Sequence, residues 1–447
     1  MPFSCAECGH RTVKWYGRCP RCGAWDSLSE DRSEAAKSAS DAPWIGEPVR
    51  PLNQIDLADV ERTSSGLGEF DRVLGGGLIP GGVILFGGEP GVGKSTLLLQ
   101  VAKALAQGEG NVLYVSGEES EGQVKLRASR LGIEGERLFL LAEQSLGRIE
   151  AAVEEVSPCA LIVDSIQTVR SEDLDGGAGS LAQLRAACGE LIRLAKSNRM
   201  ATFLVGHITK GGAFAGPKTL EHLVDVAVYL EGGDDDVRIL RSVKNRFGPT
   251  NEAAVFCMTG EGLTEIDDPS SFFLEPHGEE ARPGSVIVPI LEGTRPILIE
   301  LQALVSPTGG YGVPQRRCTG LDVNRVLLLM AVVEKQMSVH IGGADVYLSV
   351  AGGLEIRERA ADLGMVTAIV SSLRNRPIEV GTSVVGEVGL SGEVRAVRRL
   401  AERIGECAKL GYKRVLVPAS GSIPSASGID VVPVASIADA IVGLGLG

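Results

Sequence analysis

The stretch Gly88-Glu89-Pro90-Gly91-Val92-Gly93-Lys94-Ser95-Thr96 decides the fold of this chain, and its spacing is G-x-x-x-x-G-K-[ST]. Apolar residues 83–86 come before it and the mostly apolar residues 97–102 follow, which indicates a strand, a glycine loop and a helix. Glycines allow backbone N–H groups to wrap closely around a phosphate. The lysine brings a positive charge to the β- and γ-phosphates, and the serine hydroxyl completes a Mg²⁺ shell. A glycine turn that merely starts a helix is the alternative, but the flanking strand and helix favour a site for a nucleoside triphosphate.

The composition is that of a globular protein without membrane segments. The chain has 447 residues, 44% of them apolar and 23% charged, and this length allows two or three domains. Its apolar runs have only strand length, and its first ten residues do not resemble a signal peptide. The net charge of −13 argues against binding nucleic acid over the whole surface, although it allows a local basic channel. Nine cysteines, four of them clustered, favour a reducing compartment and hence the cytoplasm.

Two cysteine pairs within residues 1–28 indicate a metal site. Each pair has the spacing C-x2-C and ten residues separate the pairs, which suits four thiolates around a structural Zn²⁺. Disulfides would require an oxidising compartment, and redox dithiols rarely come as two matched pairs. The predicted zinc ligands are Cys5, Cys8, Cys19 and Cys22.

Basic and aromatic side chains lie between the two cysteine pairs. Such a surface can contact nucleic acid or a partner protein. Alternatively, Trp15 and Trp25 simply pack a very small core. The residues concerned are Arg11, Lys14, Trp15, Tyr16 and Arg18, together with Arg21 inside the second pair.

Changes in composition divide the rest of the chain. Residues 29–63 are predicted to form a linker, because Ser, Ala, Asp and Pro dominate as far as about residue 50. Residues 64–265 alternate short apolar runs with helical patterns, which predicts an α/β fold with a parallel sheet and right-handed crossovers. The predicted strands are 111–116, 138–141, 160–164 and 201–206, and the predicted helices are 120–131, 145–156 and 180–197.

Carboxylates follow two of these strands. Asp164 ends an apolar strand and matches the Walker B element, in which an aspartate holds Mg²⁺ through its water shell. Glu118 and Glu119 follow the strand 111–116, at the same sheet edge as the phosphate loop. Glu118 is the predicted base that activates the attacking water, with Glu119 in reserve. Alternatively, both glutamates merely begin the next helix, where acidic residues are favoured.

Polar segments after two further strands are candidates for coupling a nucleotide to DNA. His207 follows one strand, where it either senses the γ-phosphate or is an ordinary packed polar residue. Lys210 and Lys218 lie in a glycine-rich loop that resembles a mobile arm facing a nucleic-acid strand. The run Lys244-Asn245-Arg246-Phe247-Gly248 follows the alternating strand 237–243. It suits phosphate recognition or, in a ring, an arginine finger toward the neighbour's nucleotide, and an ordinary basic turn is the alternative.

Together these residues resemble the RadA/Sms family of bacterial DNA-repair proteins, within the RecA/DnaB-like ATPase superfamily. The resemblance rests on the cysteine finger, the phosphate loop, Asp164, the run 244–248 and the C-terminal region, and that run distinguishes the family from RecA itself. It implies a RecA-like P-loop core that uses ATP, Mg²⁺ and Zn²⁺. It also implies a hexameric ring, ATP hydrolysis stimulated by single-stranded DNA, and branch migration on branched recombination intermediates alongside a recombinase such as RecA.

The C-terminal region completes the resemblance. Residues 266–284 are predicted to form a second linker, and residues 285–447 are similar to the α+β proteolytic domain of Lon. Active Lon uses a Ser-Lys dyad, and the alignment places Ala360 and Ala401 at these positions, so peptidase chemistry is not expected. The expected strands are 286–291, 297–304, 346–350 and 415–418, and the expected helices are 324–337, 357–374, 398–410 and 435–443.

The Lon-like region is expected to serve assembly and a wider DNA path. Six arginines are candidates for lining that path, although scattered surface arginines are the simpler explanation. They are Arg316, Arg317, Arg395, Arg398, Arg399 and Arg403.

The resemblance and the motifs together favour a DNA-dependent ATPase and helicase-like motor in recombinational DNA repair. Lys94 and Ser95 bind phosphate and metal, Asp164 organises Mg²⁺ and Glu118 activates water. Lys244 and Arg246 are expected to couple the nucleotide to DNA or to the neighbouring subunit. One alternative is an ATP-dependent protease, against which the two alanines argue. The other is an ATP-switch scaffold that binds recombination proteins. Such a scaffold does not translocate, and its ATPase rate does not change when single-stranded DNA is added.

Overall fold

The computed structural model describes residues 3–5, 11–12, 14–25, 28–30, 51, 53, 61–108, 110–207, 219–232, 236–274, 280–308, 313–424 and 427–447. The chain divides into two compact units, Met1–Asp56 and Leu57–Gly447. The division falls inside the segment 29–63 that composition predicts to be a linker.

The first unit contains a small antiparallel sheet in the order β2-β1-β3. Arg18 and Trp25 form an isolated bridge, and the Arg18 guanidinium lies 5.7 Å from the centre of the Trp25 ring. Trp15 and Trp25 are 54% and 74% exposed, so neither indole is buried in the described part of this unit. The strands are β1 Phe3–Cys5, β2 Arg11–Thr12 and β3 Leu28–Glu30.

The second unit begins with a nine-stranded sheet in the order β12-β11-β10-β9-β4-β8-β7-β5-β6. Six neighbouring strands, β9, β4, β8, β7, β5 and β6, run parallel to one another. Strands β10, β11 and β12 continue the sheet beyond β9, each antiparallel to its neighbour. The strands are β4 Val83–Gly88, β5 Val112–Ser116, β6 Leu138–Ala142, β7 Ala160–Asp164, β8 Ala201–His207, β9 Val226–Gly232, β10 Val237–Asn245, β11 Ala253–Thr259 and β12 Gly262–Glu265.

Helices cover both faces of the nine-stranded sheet, because its central strands are apolar on both sides. Successive side chains of a strand point to opposite faces of the sheet. Ile84 and Phe86 therefore pack against helices α1 and α2 on one face, and Val83 and Leu85 pack against α4 and α5 on the other. The helices are α1 Gly68–Leu74, α2 Lys94–Ala106, α3 Glu121–Arg130, α4 Leu146–Val156, α5 Leu181–Ser197 and α6 Thr219–Leu223.

A mixed seven-stranded sheet in the order β15-β16-β14-β13-β17-β20-β21 forms the C-terminal part, beside a two-stranded ribbon β18-β19. Its strands are β13 Ser285–Glu292, β14 Arg295–Pro307, β15 Arg316–Thr319, β16 Ala344–Val350, β17 Thr382–Val384, β18 Glu387–Val388, β19 Val394–Arg395, β20 Arg414–Pro418 and β21 Asp430–Val434. Its helices are α7 Pro269–Phe273, α8 Val323–Met337, α9 Asp362–Arg374, α10 Leu400–Lys409 and α11 Ile437–Gly443.

One hydrophobic core joins the two large sheets. Ile239 and Val255 of the nine-stranded sheet belong to the same buried cluster as Val286 and Ile297 of the seven-stranded sheet. The turn between β13 and β14 sits close against the nine-stranded sheet: a Cβ on Gly293 would lie 2.0 Å from the Asn251 carbonyl oxygen. Polar contacts add to this interface, since Thr294 Oγ1 donates to Glu252 at 2.6 Å and Arg295 Nη1 to Glu69 at 2.8 Å.

The predicted α/β fold class with a parallel sheet is confirmed. Two segments differ from the prediction. The predicted linker 266–284 contains α7, whose Phe273 is buried in the shared core, because two adjacent phenylalanines give this polar segment an apolar anchor. The helix predicted from residue 357 begins only at Asp362, because the preceding residues form an isolated bridge at Ile356 and a 3₁₀ turn at Arg359–Ala361.

Candidate nucleotide site

The phosphate loop joins the buried strand β4 to helix α2. Gly91 and Gly93 have φ angles of 79° and 111°, which only glycine adopts without strain. Gly88 is required for a different reason, since a Cβ there would lie 2.7 Å from the carbonyl oxygen of Leu230 on the neighbouring strand. Glycines at these positions therefore let the loop close tightly in front of the helix.

Lys94 is the first residue of α2, and its side chain is almost completely buried. Its Nζ donates to the carbonyl oxygens of Gly88 and Glu89, both at 2.9 Å, and lies 3.2 Å from His207 Nδ1. Burial lowers the pKa of Lys94, while the negative charges of Asp164 and Glu118 oppose that change. The ammonium group is thus held inside the loop at the position where the motif requires it.

Glu118 faces the same space from the end of β5. Its Oε1 lies 3.1 Å from His207 Nε2 and accepts a hydrogen bond from Ser165 Oγ at 2.5 Å. Burial acts to raise the pKa of Glu118, but the hydrogen bonds from Ser165 and His207 and the Lys94 charge outweigh it and hold the pKa below the ordinary value. The carboxylate is therefore ionised, as a proton acceptor must be, and it is about half exposed.

Glu119, the reserve candidate, has a different environment. Its carboxylate lies 2.5 Å from Arg127 Nη2 on α3, and its backbone N–H donates to Ser116 Oγ. The Glu119 carboxylate is thus engaged by an arginine on α3 and has no contact with Lys94 or His207 in the described residues. The structure thus places Glu118, and not Glu119, beside Lys94 and His207.

Asp164 ends β7, level with Ser116 of β5 in the parallel register. The Tyr114 hydroxyl donates to Asp164 Oδ2 at 2.6 Å and also interacts with the Ser95 side chain. Burial and the Asp164 charge raise the pKa of Tyr114 well above its ordinary value, so the hydroxyl keeps its proton. The two predicted magnesium ligands, Ser95 and Asp164, therefore meet around a tyrosine that the sequence analysis did not identify.

Tyr114 and Ser165 could have been found from strand register. Tyr114 lies two residues before Ser116, and the carboxyl ends of parallel strands share one sheet edge. Ser165 directly follows the Walker B aspartate. What the sequence does not contain is the pairing of β5 with β7, without which neither side chain can be placed.

The run Lys244 to Gly248 lies at the opposite edge of the sheet, where the parallel strands begin. Asn245 pairs with Val226 on β9, whereas Leu230 of β9 pairs with Gly88, so about 13 Å of strand separates the run from its own phosphate loop. Lys244 Nζ donates to three carbonyl oxygens that end α6, those of Glu221, His222 and Val224, at 2.7, 3.0 and 2.7 Å.

The other members of this run have distinct surroundings. Asn245 Nδ2 donates to the Leu74 carbonyl at 3.1 Å, and Phe247 packs against the core. Arg246 Nη1 lies 3.3 Å from Asp225 Oδ1, and the Arg246 side chain is 55% exposed. Arg246 is thus the cation of this run that is most accessible to a partner.

Several predicted residues are placed only in part. Cys19 is buried and Cys22 is exposed, and the N–H of Gly23, which directly follows Cys22, donates to the Cys19 carbonyl at 2.9 Å, a tight turn of the kind that presents two thiolates together. Cys5 ends β1. Cys8, Lys210 and Lys218 lie outside the described residues.

The Lon-like region has an apolar side chain at both expected catalytic positions. Ala360 is buried beside the β18 ribbon and Ala401 lies on α10. Arg403, a candidate for the DNA path, is 1% exposed and pairs with Glu358 at 2.6 Å. Because it is buried and paired, it cannot line an open path, so the assignment of Arg403 to that path is wrong.

Three family descriptions match parts of the chain. Residues 3–30 match the family described as rubredoxin metal binding domain, residues 35–213 the AAA domain, and residues 337–433 the Lon protease (S16) C-terminal proteolytic domain. The chain is also 46% identical over 448 residues to the DNA repair protein RadA of Bacillus subtilis, an alignment that covers 98% of this chain and 97% of that protein. The RadA protein of Streptococcus pyogenes serotype M1 is 47% identical over 440 residues, with 97% and 96% covered.

The chain belongs to the RadA family of DNA repair proteins. RadA of Listeria monocytogenes, 44% identical over 444 residues, extends the similarity across 98% of the chain. The three parts that the family resemblance predicts, a zinc-ribbon type finger, an ATPase domain and a Lon-like domain, are therefore confirmed for this RadA-family chain. Within its described parts, none of the helices combines the length and apolarity that a membrane crossing requires.

Proposed function

We propose that this chain is a DNA-stimulated ATPase that acts as a helicase-like motor on single-stranded and branched DNA in recombinational repair. The observation that carries the proposal is the chain of contacts Lys94–His207–Glu118, which joins the phosphate loop to the water-activating carboxylate through a histidine. Residues 208–218 directly follow His207 in the sequence, and this segment is proposed to respond to the phosphate site.

The residues have separate tasks in hydrolysis. Lys94 exchanges its two loop carbonyls for the β- and γ-phosphate oxygens of ATP, and the N–H groups of the loop surround the phosphates. Ser95 and Asp164 are the residues that would hold Mg²⁺, which neutralises charge on the phosphates. Glu118 accepts a proton from the attacking water, and Ser165 and His207 orient its carboxylate.

Coupling between subunits is proposed to use the opposite edge of the sheet. Arg246 is too far from its own phosphate loop to contact that nucleotide, and its exposed guanidinium, paired with Asp225 at 3.3 Å, would exchange that partner for the nucleotide of a neighbouring subunit in a hexameric ring. Lys244 positions this edge by holding the end of α6. Asn245, Phe247 and Gly248 fix the turn that presents Arg246, and Lys210 and Lys218 are proposed to contact the DNA strand.

The finger and the Lon-like region are proposed to have non-catalytic roles. Cys5, Cys8, Cys19 and Cys22 form a set of four thiols suited to one structural Zn²⁺, and the exposed Trp15 and Trp25 leave an aromatic surface for DNA or for a recombinase such as RecA. The Lon-like region serves assembly and lacks peptidase activity, because alanine can neither attack a peptide nor move a proton. The four thiols suit the reducing cytoplasm.

The test is the ATPase rate of the purified chain with and without single-stranded DNA, at two salt concentrations. We expect DNA to raise the rate and added salt to weaken that effect steeply, because phosphate contacts release counterions. An ATPase rate that is the same with and without DNA at both salt concentrations would overturn the motor proposal and favour the ATP-switch scaffold. Casein cleavage by the same preparation would revive the protease alternative.

A further inference from the structure

A side chain from the antiparallel part of the nine-stranded sheet contacts the phosphate loop. Arg238 lies on β10, which pairs with β9, and β9 in turn pairs with β4. The Arg238 Nε donates a hydrogen bond to the Val92 carbonyl oxygen in the loop at 3.0 Å, and its Nη1 donates to the Val237 carbonyl of its own strand at 2.8 Å. Arg238 therefore reaches across β9 to a loop that lies 146 residues earlier in the sequence.

A glycine on β9 leaves the space that the Arg238 side chain occupies. Gly232 is directly opposite Arg238 in the antiparallel register. A Cβ on Gly232 would lie 2.4 Å from Arg238 Cδ, 2.8 Å from Arg238 Nε and 3.1 Å from Val92 Cγ2. A larger residue at this position would displace the arginine side chain, because the flexible end of an arginine moves more easily than the backbone of a sheet.

The hydrogen bond from Arg238 fixes the direction of one peptide group. The Val92–Gly93 peptide bond is trans, so its C=O and its N–H point to opposite sides. Because Arg238 holds the carbonyl toward β10, the Gly93 N–H is turned to the other side of β4, where His207 and Glu118 lie. Backbone N–H groups of a loop with this spacing surround the phosphates, and the contact with Arg238 presents one of them.

The loop requires such an anchor because glycines flank Val92. Gly91 and Gly93 have φ angles of 79° and 111°, and glycine changes its backbone conformation at little cost. A reversed Val92–Gly93 peptide would direct its carbonyl oxygen at the phosphates, and the two negative groups would repel each other. A hydrogen bond from a charged guanidinium is stronger than one between neutral groups, so it opposes this reversal.

Strands β11 and β12 support the same part of the loop. A Cβ on Gly93 would lie 2.6 Å from Met258 Cε and 3.2 Å from Leu263 Cδ1. Leu263 is itself held by Gln100 of α2, whose side-chain amide accepts from the Leu263 N–H at 2.9 Å and donates to the Leu263 carbonyl at 3.0 Å. The antiparallel strands thus contact the residues on both sides of the Val92–Gly93 peptide bond.

We propose that Arg238 is a positioning residue of the nucleotide site, which holds the Val92 carbonyl away from the phosphates so that the Gly93 N–H can bind them. Arg238 does this without touching the nucleotide. The inference rests on the proposed hydrolysis of ATP at this loop and adds a role for the antiparallel strands. Ile239, the next residue of β10, belongs to the core shared with the seven-stranded sheet, so one strand joins the phosphate loop to the Lon-like region.

The test measures binding of fluorescent ADP to the full chain in the absence of DNA. We expect Arg238→Ala to raise the Kd of ADP about tenfold, because a loop whose peptide reverses is competent to bind for only a fraction of the time. The KM for ATP should rise in the same way while kcat changes much less, since the lost interaction is made before as well as in the transition state. Arg130→Ala, which removes an exposed arginine at the end of α3, is the control and should leave the Kd unchanged.

Two further substitutions at Arg238 separate orientation of the peptide from charge. Arg238→Gln places an amide nitrogen where the arginine has Nε, so it keeps the hydrogen bond to Val92 without the charge and should restore most of the affinity for ADP. Arg238→Lys keeps the charge, but its ammonium group lies one bond beyond that position, so it should restore less.

A variant on the neighbouring strand tests the same contact without removing the arginine. Gly232→Ala displaces the Arg238 side chain, so it should weaken ADP binding as Arg238→Ala does. The double variant should bind no more weakly than Arg238→Ala alone, because both changes break one contact.

Three results would overturn the proposal: an unchanged Kd in Arg238→Ala, an equal loss in Arg130→Ala, or normal binding by Arg238→Lys with a full loss in Arg238→Gln. The last of these would assign Arg238 a direct contact between its charge and the phosphates. We expect equal thermal unfolding midpoints for Arg238→Ala and Arg238→Gln, so a difference in their affinity for ADP reports on the loop and not on folding. Because the assay contains no DNA, an ATPase rate that does not respond to DNA would contradict the motor proposal and leave the result for Arg238 valid.

Discussion

The two edges of the nine-stranded sheet carry similar residues with very different partners. At the phosphate-loop edge, His207 contacts both Lys94 and Glu118, and Lys94 also donates to two carbonyl oxygens of its own loop. At the opposite edge, Lys244 donates hydrogen bonds to three backbone carbonyl oxygens, and Asn245 donates one to the Leu74 carbonyl. Polar side chains whose partners are all backbone carbonyls hold the structure together, whereas those that are also linked to other side chains form the candidate site.

The largest effect expected from this comparison is that of Lys94→Ala. Removing the charge that faces the β- and γ-phosphates should lower kcat by about three orders of magnitude, the upper range for a group that stabilises developing charge. Phosphate release under saturating ATP measures this. Lys103→Ala, in the last turn of the same helix, is the control and should keep the full rate. Full turnover by Lys94→Ala would contradict the assignment of the loop.

The next effect separates the two adjacent glutamates. Glu118→Gln should lower kcat by about a hundredfold while ATP still binds, because the amide cannot accept the proton of the attacking water. Glu119→Gln should cost much less, since its carboxylate pairs with Arg127. Single-turnover hydrolysis together with a separate binding assay distinguishes the two. A larger loss in Glu119→Gln would reverse their roles.

A smaller effect tests the opposite edge. Lys244→Ala should lower the free energy of unfolding by about 1 kcal/mol, because the carbonyls at the end of α6 lose their charged donor. Arg246→Ala should leave stability nearly unchanged and instead reduce the DNA-stimulated part of the ATPase rate. Denaturant unfolding and ATPase assays on both variants measure these effects. Equal losses of stability in Lys244→Ala and Arg246→Ala would contradict a structural role for Lys244 and a coupling role for Arg246.

The smallest effect concerns pH. Because the pKa of Glu118 lies below its ordinary value, the carboxylate stays ionised as the pH falls, and activity should persist further into the acid range than an ordinary glutamate would allow. His207→Ala removes one of the contacts that lower this pKa, so the acid limb of kcat/KM should move to higher pH. His222→Ala, an exposed histidine outside the site, should leave the limb in place.

Local spacing explains which parts could be predicted from the sequence. The phosphate loop and Asp164 depend on neighbouring residues and on one apolar strand each, so their positions follow from the sequence. Strands β9 to β12 pair in chain order as consecutive antiparallel neighbours, and of these four strands only β10 has the alternating pattern from which a strand was predicted. The role of Lys244 could not be predicted from the sequence either, because no local pattern indicates that its ammonium group donates to the carbonyl oxygens at the end of α6.

The hydrophobic core shared by the two large sheets has a consequence for any shortened form of this chain. Ile239, Val255 and Phe273 are covered by side chains that lie beyond residue 285. A fragment that stops before that point would present these residues to water, and the apolar face so uncovered is the kind that makes fragments aggregate. The ATPase part and its Lon-like neighbour should therefore melt in a single cooperative transition, with the Lon-like part serving as a folding partner of the ATPase part.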